Sequence, residues 1–125
     1  MTTRIGRVSD YMAGIWLIDL QTRAVAVGLS KVDPYSVIDP LTVEPQDTGY
    51  ARARTGWIVQ GRVMRNTATL KYTGMPVGTQ LVAFTLWDAL ANGTLLASVP
   101  FTPITLTVIG GPMVYNNDLF IGMDL

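Results

Sequence analysis

The sequence predicts a mainly β protein, an antiparallel β-sandwich of jelly-roll type with one short N-terminal helix. Short apolar and β-branched runs recur about every 10 residues with Gly and Asn turn signals between them, which is typical of sandwiches and jelly rolls. A helix start signal occurs near the N-terminus, at Ser9. The chain has 125 residues, enough for one hydrophobic core. We therefore expect an N-terminal arm at residues 1–8 and a single β-sandwich domain at residues 9–125.

The first element is a short helix that begins after Ser9. The Ser9 hydroxyl can cap the helix, and an acid follows in the first turn, where the helix dipole favours a negative charge. Met12, Ile15 and Trp16 then follow the 3–4 spacing of a helix, so an apolar stripe is expected on one side as far as Leu20. The spacing does not show whether this helix packs on its own domain or on a partner.

Strands and loops alternate after the helix. Residues 24–30 are the first candidate strand, and residues 33–49 form a long irregular loop with three prolines, of the kind that proteins often use for contact or function. The Asn92-Gly93 pair lies between two apolar runs and predicts a β-hairpin. We expect six strands after the long loop, at residues 50–60, 61–72, 81–89, 94–103, 104–109 and 117–123.

The composition argues against an enzyme. The chain has no histidine and no cysteine, and Glu44 is its single glutamate, so the commonest general bases, nucleophiles and transition-metal ligands are missing. Asp33, Asp39, Glu44 and Asp47 share the long loop, but they lack the regular spacing of a calcium-binding loop, and a solvated acidic loop explains them better. We expect no catalytic residues, no metal site and no cofactor.

Charge and length also limit the setting of the protein. The apolar stretch at residues 11–20 is shorter than the ~20 residues of a membrane-crossing helix and lacks a signal-peptide cleavage site, so we expect neither membrane insertion nor secretion. Charged residues make up 14% of the chain, against about 25% in ordinary soluble domains. The formal net charge is zero, which removes electrostatic protection against self-association. Both features favour an assembly over a free monomer.

The basic residues are concentrated in the middle of the sequence. Between Thr48 and Trp87 every charged residue is an arginine or a lysine, whereas acids dominate both ends. Tyr50, Arg52 and Arg54 would share one face of a strand, an arrangement that can stack a base and hold phosphates. A neutral domain is not typical of a nucleic-acid binder, so we do not favour a nucleic-acid partner.

We instead expect the arginines to contact carboxylates of this chain or of a neighbouring subunit, because the planar guanidinium suits protein ion pairs. In that case Arg52→Glu would weaken assembly and leave the isolated fold largely intact. The arm at residues 1–8 would order on a neighbouring subunit through its two arginines, and a frayed terminus is the alternative. The candidate interface residues are Arg4, Arg7, Tyr50, Arg52, Arg54, Arg62 and Arg65.

Several short motifs occur in a characteristic order. They are AVAVGLS followed by VDP at residues 24–34, GYAR at residues 49–52, NTATL at residues 66–70, FTLWDA at residues 84–89 and NGTLLA at residues 92–97. This order resembles a group of small virion proteins of tailed bacteriophages, described as head decoration, head fibre or tail fibre proteins, whose typical motifs read LYVGL, GYAR, NTA, FGLFDA and LLA. The resemblance covers most of the chain from about residue 9, and FTLWDA is its clearest departure.

The resemblance implies a β-rich, non-catalytic virion component that forms a homotrimer. The function we expect is that of a capsid decoration or cement protein, which stabilises the head by bridging subunits of the major capsid protein. Such a protein is made in the host cytoplasm and resides on the capsid surface of the virion. The alternative is a tail fibre or adhesin module that binds a host surface glycan, for which Tyr35, Trp87 and Tyr115 are the candidate exposed aromatics.

Overall fold

Antiparallel β-strands and one α-helix make up the regular structure of the protein, seen in a computed structural model that describes residues 9–122. The predicted arm at residues 1–8, with Arg4 and Arg7, lies outside the described residues. Within them, the mainly β fold with one N-terminal α-helix is confirmed. Helix α1 spans Asp10–Arg23, and the strands are β1 (Ala26–Ser30), β2 (Ala53–Arg54), β3 (Trp57–Gln60), β4 (Val63–Asn66), β5 (Leu70–Lys71), β6 (Gln80–Trp87), β7 (Leu95–Thr105), β8 (Met113–Val114) and β9 (Phe120–Gly122).

Helix α1 begins where the sequence predicts. Ser9 is the N-cap, and its Oγ accepts a hydrogen bond of 3.2 Å from the backbone N–H of Met12. The helix continues past the expected end at Leu20 and stops at Arg23. It stops there because Ala24 adopts an extended conformation (φ −81°, ψ 93°) that leads into β1.

Both sides of α1 are apolar. Its buried side includes Ala13 and Leu17, which are 0% and 1% exposed. The predicted stripe of Met12, Ile15 and Trp16 lies on the opposite side and is about two-fifths exposed. The stripe therefore exists, but it faces away from the core of its own chain.

The largest sheet has the strand order β2-β1-β6-β7, and all neighbouring strands are antiparallel. The β6–β7 hairpin is confirmed, and Asn92 and Gly93 both have the positive φ (54° and 75°) that its turn requires. Strand β7 continues to Thr105 along β6, so the separate strand predicted at residues 104–109 is wrong. β7 tolerates two internal prolines because it is an edge strand.

Two smaller sheets complete the described strands. One has the order β3-β4-β9, and the other pairs β5 with β8. The strands predicted at residues 50–60 and 61–72 are therefore each divided between two sheets. The first division falls at Thr55, which donates its backbone N–H to Val25 just before the chain leaves the first sheet. The described strands form three sheets and not the two of a jelly roll, so that finer arrangement is not confirmed.

One hydrophobic core joins the helix to all three sheets. Trp57 packs beside the end of α1, where its Nε1 donates a hydrogen bond of 2.7 Å to the carbonyl oxygen of Ala24. The buried side-chain nitrogen and oxygen atoms of the described residues all have hydrogen-bond partners. Core side chains from the helix and the three sheets include Leu17, Val27, Met64 and Leu70.

No helix in the described part of the chain is long and apolar enough to cross a bilayer.

Candidate functional site

The loop between β1 and β2 is held in a fixed shape by two aspartates. Asp33 begins the 3-10 helix Pro34–Ser36, and Asp39 begins the 3-10 helix Pro40–Val43. The Oδ1 of Asp33 accepts a hydrogen bond of 3.0 Å from the backbone N–H of Tyr35, and Asp39 accepts the equivalent bond at 3.1 Å. A proline follows each cap, and its fixed φ and missing N–H suit the first helical position. Two Asp-Pro pairs thus order a loop that the sequence predicts as irregular.

The two caps hold an apolar segment, residues 34–41, which we call the loop tip. Ile38 in its centre is fully exposed, and Tyr35 is 65% exposed. A cleft of about 390 Å³ lies between the loop tip and the start of β7. Rigid apolar groups of this kind serve as anchors in protein interfaces, because they lose little conformational entropy on binding. The apolar lining of the cleft includes Pro34, Val37, Pro40, Leu41 and Leu95.

A buried ion pair holds the end of the long loop. Arg52 is 8% exposed and forms a bidentate ion pair with Glu44. Its Nε lies 3.0 Å from Oε1, and its Nη2 lies 2.8 Å from Oε2. Its Nη1 donates to the carbonyl oxygens of Ala89 (2.8 Å) and Asn92 (2.6 Å) in the β6–β7 turn. The guanidinium lies 3.8 Å above the ring of Trp87. Arg52 therefore fastens the long loop to the β6–β7 hairpin.

Tyr50 extends this network into the first sheet. Its hydroxyl donates to Glu44 Oε1 at 3.0 Å and accepts a bond of 2.8 Å from the backbone N–H of Leu29. The network fits over β1 because residue 28 is glycine. A Cβ on Gly28 would lie 2.5 Å from Glu44 Oε1 and 2.9 Å from the Tyr50 hydroxyl, which is closer than atoms can pack.

Burial raises the pKa of two phenols in this region. Desolvation raises the pKa of Tyr50 far above its ordinary value, and the negative charge of Glu44 adds to the effect. Desolvation also raises the pKa of Tyr72, whose hydroxyl donates to the carbonyl oxygen of Val27 at 2.8 Å. The two rings are stacked with their centres 6.3 Å apart. Both phenols therefore remain neutral in the folded protein when free tyrosines ionise.

We expect the protein to lose stability in alkali because of these two phenols. The unfolded chain releases its phenolic protons near pH 10, whereas the folded chain keeps them. The contribution of these two tyrosines to the free energy of unfolding is therefore fully present below about pH 10. Above that pH the free energy of unfolding falls by up to about 1.4 kcal/mol per pH unit for each tyrosine. Urea unfolding followed by tryptophan fluorescence will measure this slope. Tyr72→Phe should make it shallower, whereas Tyr35→Phe should not, because Tyr35 is exposed. Equal slopes for Tyr72→Phe and the unaltered protein would contradict the assignment.

Three other predicted interface residues lie in other parts of the described chain. Arg54 is exposed on β2, and Arg62 is half-buried in the β3–β4 turn. Arg65 is exposed on β4, where its guanidinium lies 4.5 Å from the ring centre of Phe120 on the neighbouring strand β9. The basic middle of the sequence is therefore distributed over separate parts of the surface and one buried site.

Arg52 requires two corrections to the sequence predictions. Its side chain points inward while that of Arg54 is exposed, so the expected shared face of Tyr50, Arg52 and Arg54 does not form. The strand that would have aligned them is only Ala53–Arg54. The expectation that Arg52→Glu leaves the isolated fold intact loses its basis, because the partner of Arg52 is the buried Glu44 of the same chain.

Sequence reasoning missed Glu44 as the partner of Arg52 and Ile38 as an exposed anchor. Glu44 lies eight positions before Arg52 in a loop without periodicity, so spacing gives no signal for the pair. The two Asp-Pro pairs were the signal for an ordered loop tip. No group of three or more metal-ligating side chains occurs among the described residues. Comparison with known proteins gives no match, neither to a family model nor to a curated protein.

Proposed function

We propose that the protein is a structural component of a tailed-bacteriophage virion, a capsid decoration or cement protein. In this proposal it acts as a homotrimer on the capsid surface and bridges subunits of the major capsid protein. The observation that carries the proposal is the loop tip, where a fully exposed isoleucine lies between two Asp-capped 3-10 helices, in the same loop as the buried Glu44 that pairs with Arg52. The mechanism is burial of apolar surface on neighbouring subunits, with no chemical step.

The contacts around Arg52 and Glu44 involve the same motifs that carry the resemblance to virion proteins. The GYAR motif supplies Tyr50 and Arg52, the FTLWDA motif supplies Trp87, and the NGTLLA motif supplies the carbonyl oxygen of Asn92. Motifs that are far apart in the sequence thus combine to hold one loop. A cement protein needs such support, because an anchor that is fixed before binding loses less entropy when it docks.

A tail fibre or adhesin module that binds a host surface glycan is the second candidate. Tyr35 and Tyr115 are exposed, as a glycan platform needs, and Tyr35 borders the cleft beside the loop tip. Trp87, the third aromatic considered for this role, is 0% exposed under Arg52, so that part of the prediction is wrong. The loop tip is mainly apolar, which favours a protein surface over a sugar.

Ile38→Asp should weaken binding to capsids by at least about tenfold, because a charge would have to be desolvated at the centre of the contact. The fold should not change, because the Ile38 side chain is fully exposed in the isolated chain. Co-sedimentation with empty capsids that lack the protein, together with the melting temperature of those capsids, will measure the effect.

Val77→Asp is the matched control, since Val77 is 59% exposed and belongs to a different loop. It should bind capsids as the unaltered protein does. Capsid binding by Ile38→Asp at full strength would contradict the role of the loop tip. If the unaltered protein bound host cells and left capsids unaffected, the adhesin would be the correct function.

A further inference from the structure

The outer face of α1 carries larger side chains than the face that packs on its own core. The inner face presents Ala13 and Gly14 beside Leu17. A helix that serves only its own domain normally places its large apolar residues inward and polar residues outward. Here the outward residues are Tyr11, Met12, Ile15, Trp16 and Ile18, which are 77%, 39%, 40%, 42% and 52% exposed.

These five side chains form one continuous patch, which we call the α1 patch. At about 100° per residue they occupy a single arc of the helix surface, and they fill its first turns. The last turn of the same arc is polar and contains Asp19 and Arg23, whose side chains form an exposed ion pair of 3.2 Å. The outer face thus has an apolar half and a half in which one acid lies beside one base.

We infer that the α1 patch is the surface through which copies of this chain pack against one another. The inference rests on the homotrimer of the proposed function, but not on its attachment to capsids. A surface that places an acid next to a base is complementary to a second copy of itself, because each copy offers the opposite charge to the other. In parallel packing, the apolar halves meet while Asp19 of each copy lies near Arg23 of the next.

The area of the α1 patch fits this role. A large side chain offers roughly 200 Å², and the five residues are about half exposed on average, so the patch has on the order of 500 Å². Shared between the two neighbours of a trimer, this area gives about 250 Å² to each contact, roughly a third of the roughly 800 Å² per partner in a stable interface, so the patch supplies the apolar centre of the contact and other residues supply the rest. It also matches the largest apolar patches of single chains, which are often binding sites. In a trimer the patch would be covered from two sides around the symmetry axis.

Ile15→Glu tests the inference directly. Glutamate is a good helix former and Ile15 is already partly exposed, so the variant should fold, with the helical circular dichroism of the unaltered protein. Its molar mass by light scattering should fall from that of three copies to that of one. The matched control is Ile104→Glu, because Ile104 is 39% exposed but lies on β7. That variant should remain trimeric.

A crosslinking measurement does not depend on the folding of Ile15→Glu. The chain has no cysteine, so Met12→Cys introduces a single thiol into the α1 patch. A short bismaleimide should join copies of Met12→Cys efficiently and should not join copies of Val77→Cys, whose site is exposed elsewhere.

Several results would overturn the inference. They are a monomeric unaltered protein at high micromolar concentration, a trimeric Ile15→Glu, dissociation by Ile104→Glu instead, and equal crosslinking at the two cysteine sites. A monomer that still binds capsids would disprove the α1 interface and leave the cement function standing. A trimer that depends on Ile15 but ignores capsids would support the α1 interface and disprove the cement function.

Discussion

Arg52→Glu is expected to unfold the protein or to leave it barely stable. The substitution removes the only positive charge that touches Glu44 among the described residues and places a second carboxylate beside it. It also leaves the carbonyl oxygens of Ala89 and Asn92 without their donor. Breaking a buried ion pair costs about 3–5 kcal/mol, a large share of the stability of a small domain. Urea unfolding followed by tryptophan fluorescence will measure the loss.

The control for this prediction is Arg54→Glu. It reverses the same charge two positions away, but on an exposed side chain of β2, so its free energy of unfolding should change by less than about 0.5 kcal/mol. Arg52→Lys should fall between the two, because lysine keeps the charge but not the planar fork that holds both carboxylate oxygens and the two carbonyls. If Arg52→Glu were as stable as Arg54→Glu, the buried ion pair would not hold the loop.

This result decides how an interface can be tested in the basic middle of the chain. A loss of assembly in Arg52→Glu would follow from unfolding and would say nothing about contacts between subunits. Arg54 and Arg65 are the informative positions, because both are exposed and neither forms an ion pair in the described chain. Charge reversal there changes the surface without changing the core.

The parts of the fold that the sequence predicted correctly depend on local signals. The Ser9 cap acts within one helical turn, and the Asn92-Gly93 turn needs only two residues with positive φ. The divided strand at residues 50–60 shows the limit of such signals. Its alternating pattern continues through Thr55, yet β2 and the N–H of Thr55 bond to β1 and Val25, whereas Trp57 pairs with β4 in the second sheet. A contact between residues so far apart in sequence leaves no trace in local periodicity.

The candidate surfaces show the same limit. The 3–4 spacing of Ile15 and Trp16 located the apolar stripe of α1, but Ala13 and Leu17 form a second stripe on the other side. When both faces of a helix are apolar, periodicity cannot say which one packs inward. The direction is set by steric fit, because the small side chain of Ala13 lets the helix approach its own core closely.

Asn66→Asp is the second change for which we expect a severe loss of stability. Asn66 is 0% exposed, and its Nδ2 donates to the carbonyl oxygens of Ala68 (2.7 Å) and Tyr115 (3.1 Å). Its Oδ1 accepts from the backbone N–H of Leu119 at 2.9 Å, so one side chain fastens the C-terminal segment to β4. Aspartate has the same shape but would direct a buried charge at two carbonyl oxygens. We expect a loss of about 3 kcal/mol or more at neutral pH.

The pH dependence separates this electrostatic cause from simple loss of packing. Burial against two carbonyl oxygens favours the protonated acid, which recovers one donor, so the stability gap between Asn66→Asp and the unaltered protein should narrow near pH 4 and widen toward pH 7. Asn66→Ala should show a gap that does not depend on pH. Asn116→Asp makes the same chemical change on an exposed side chain and should have little effect at either pH. A constant gap for Asn66→Asp would mean that lost packing, and not the buried charge, destabilises the variant.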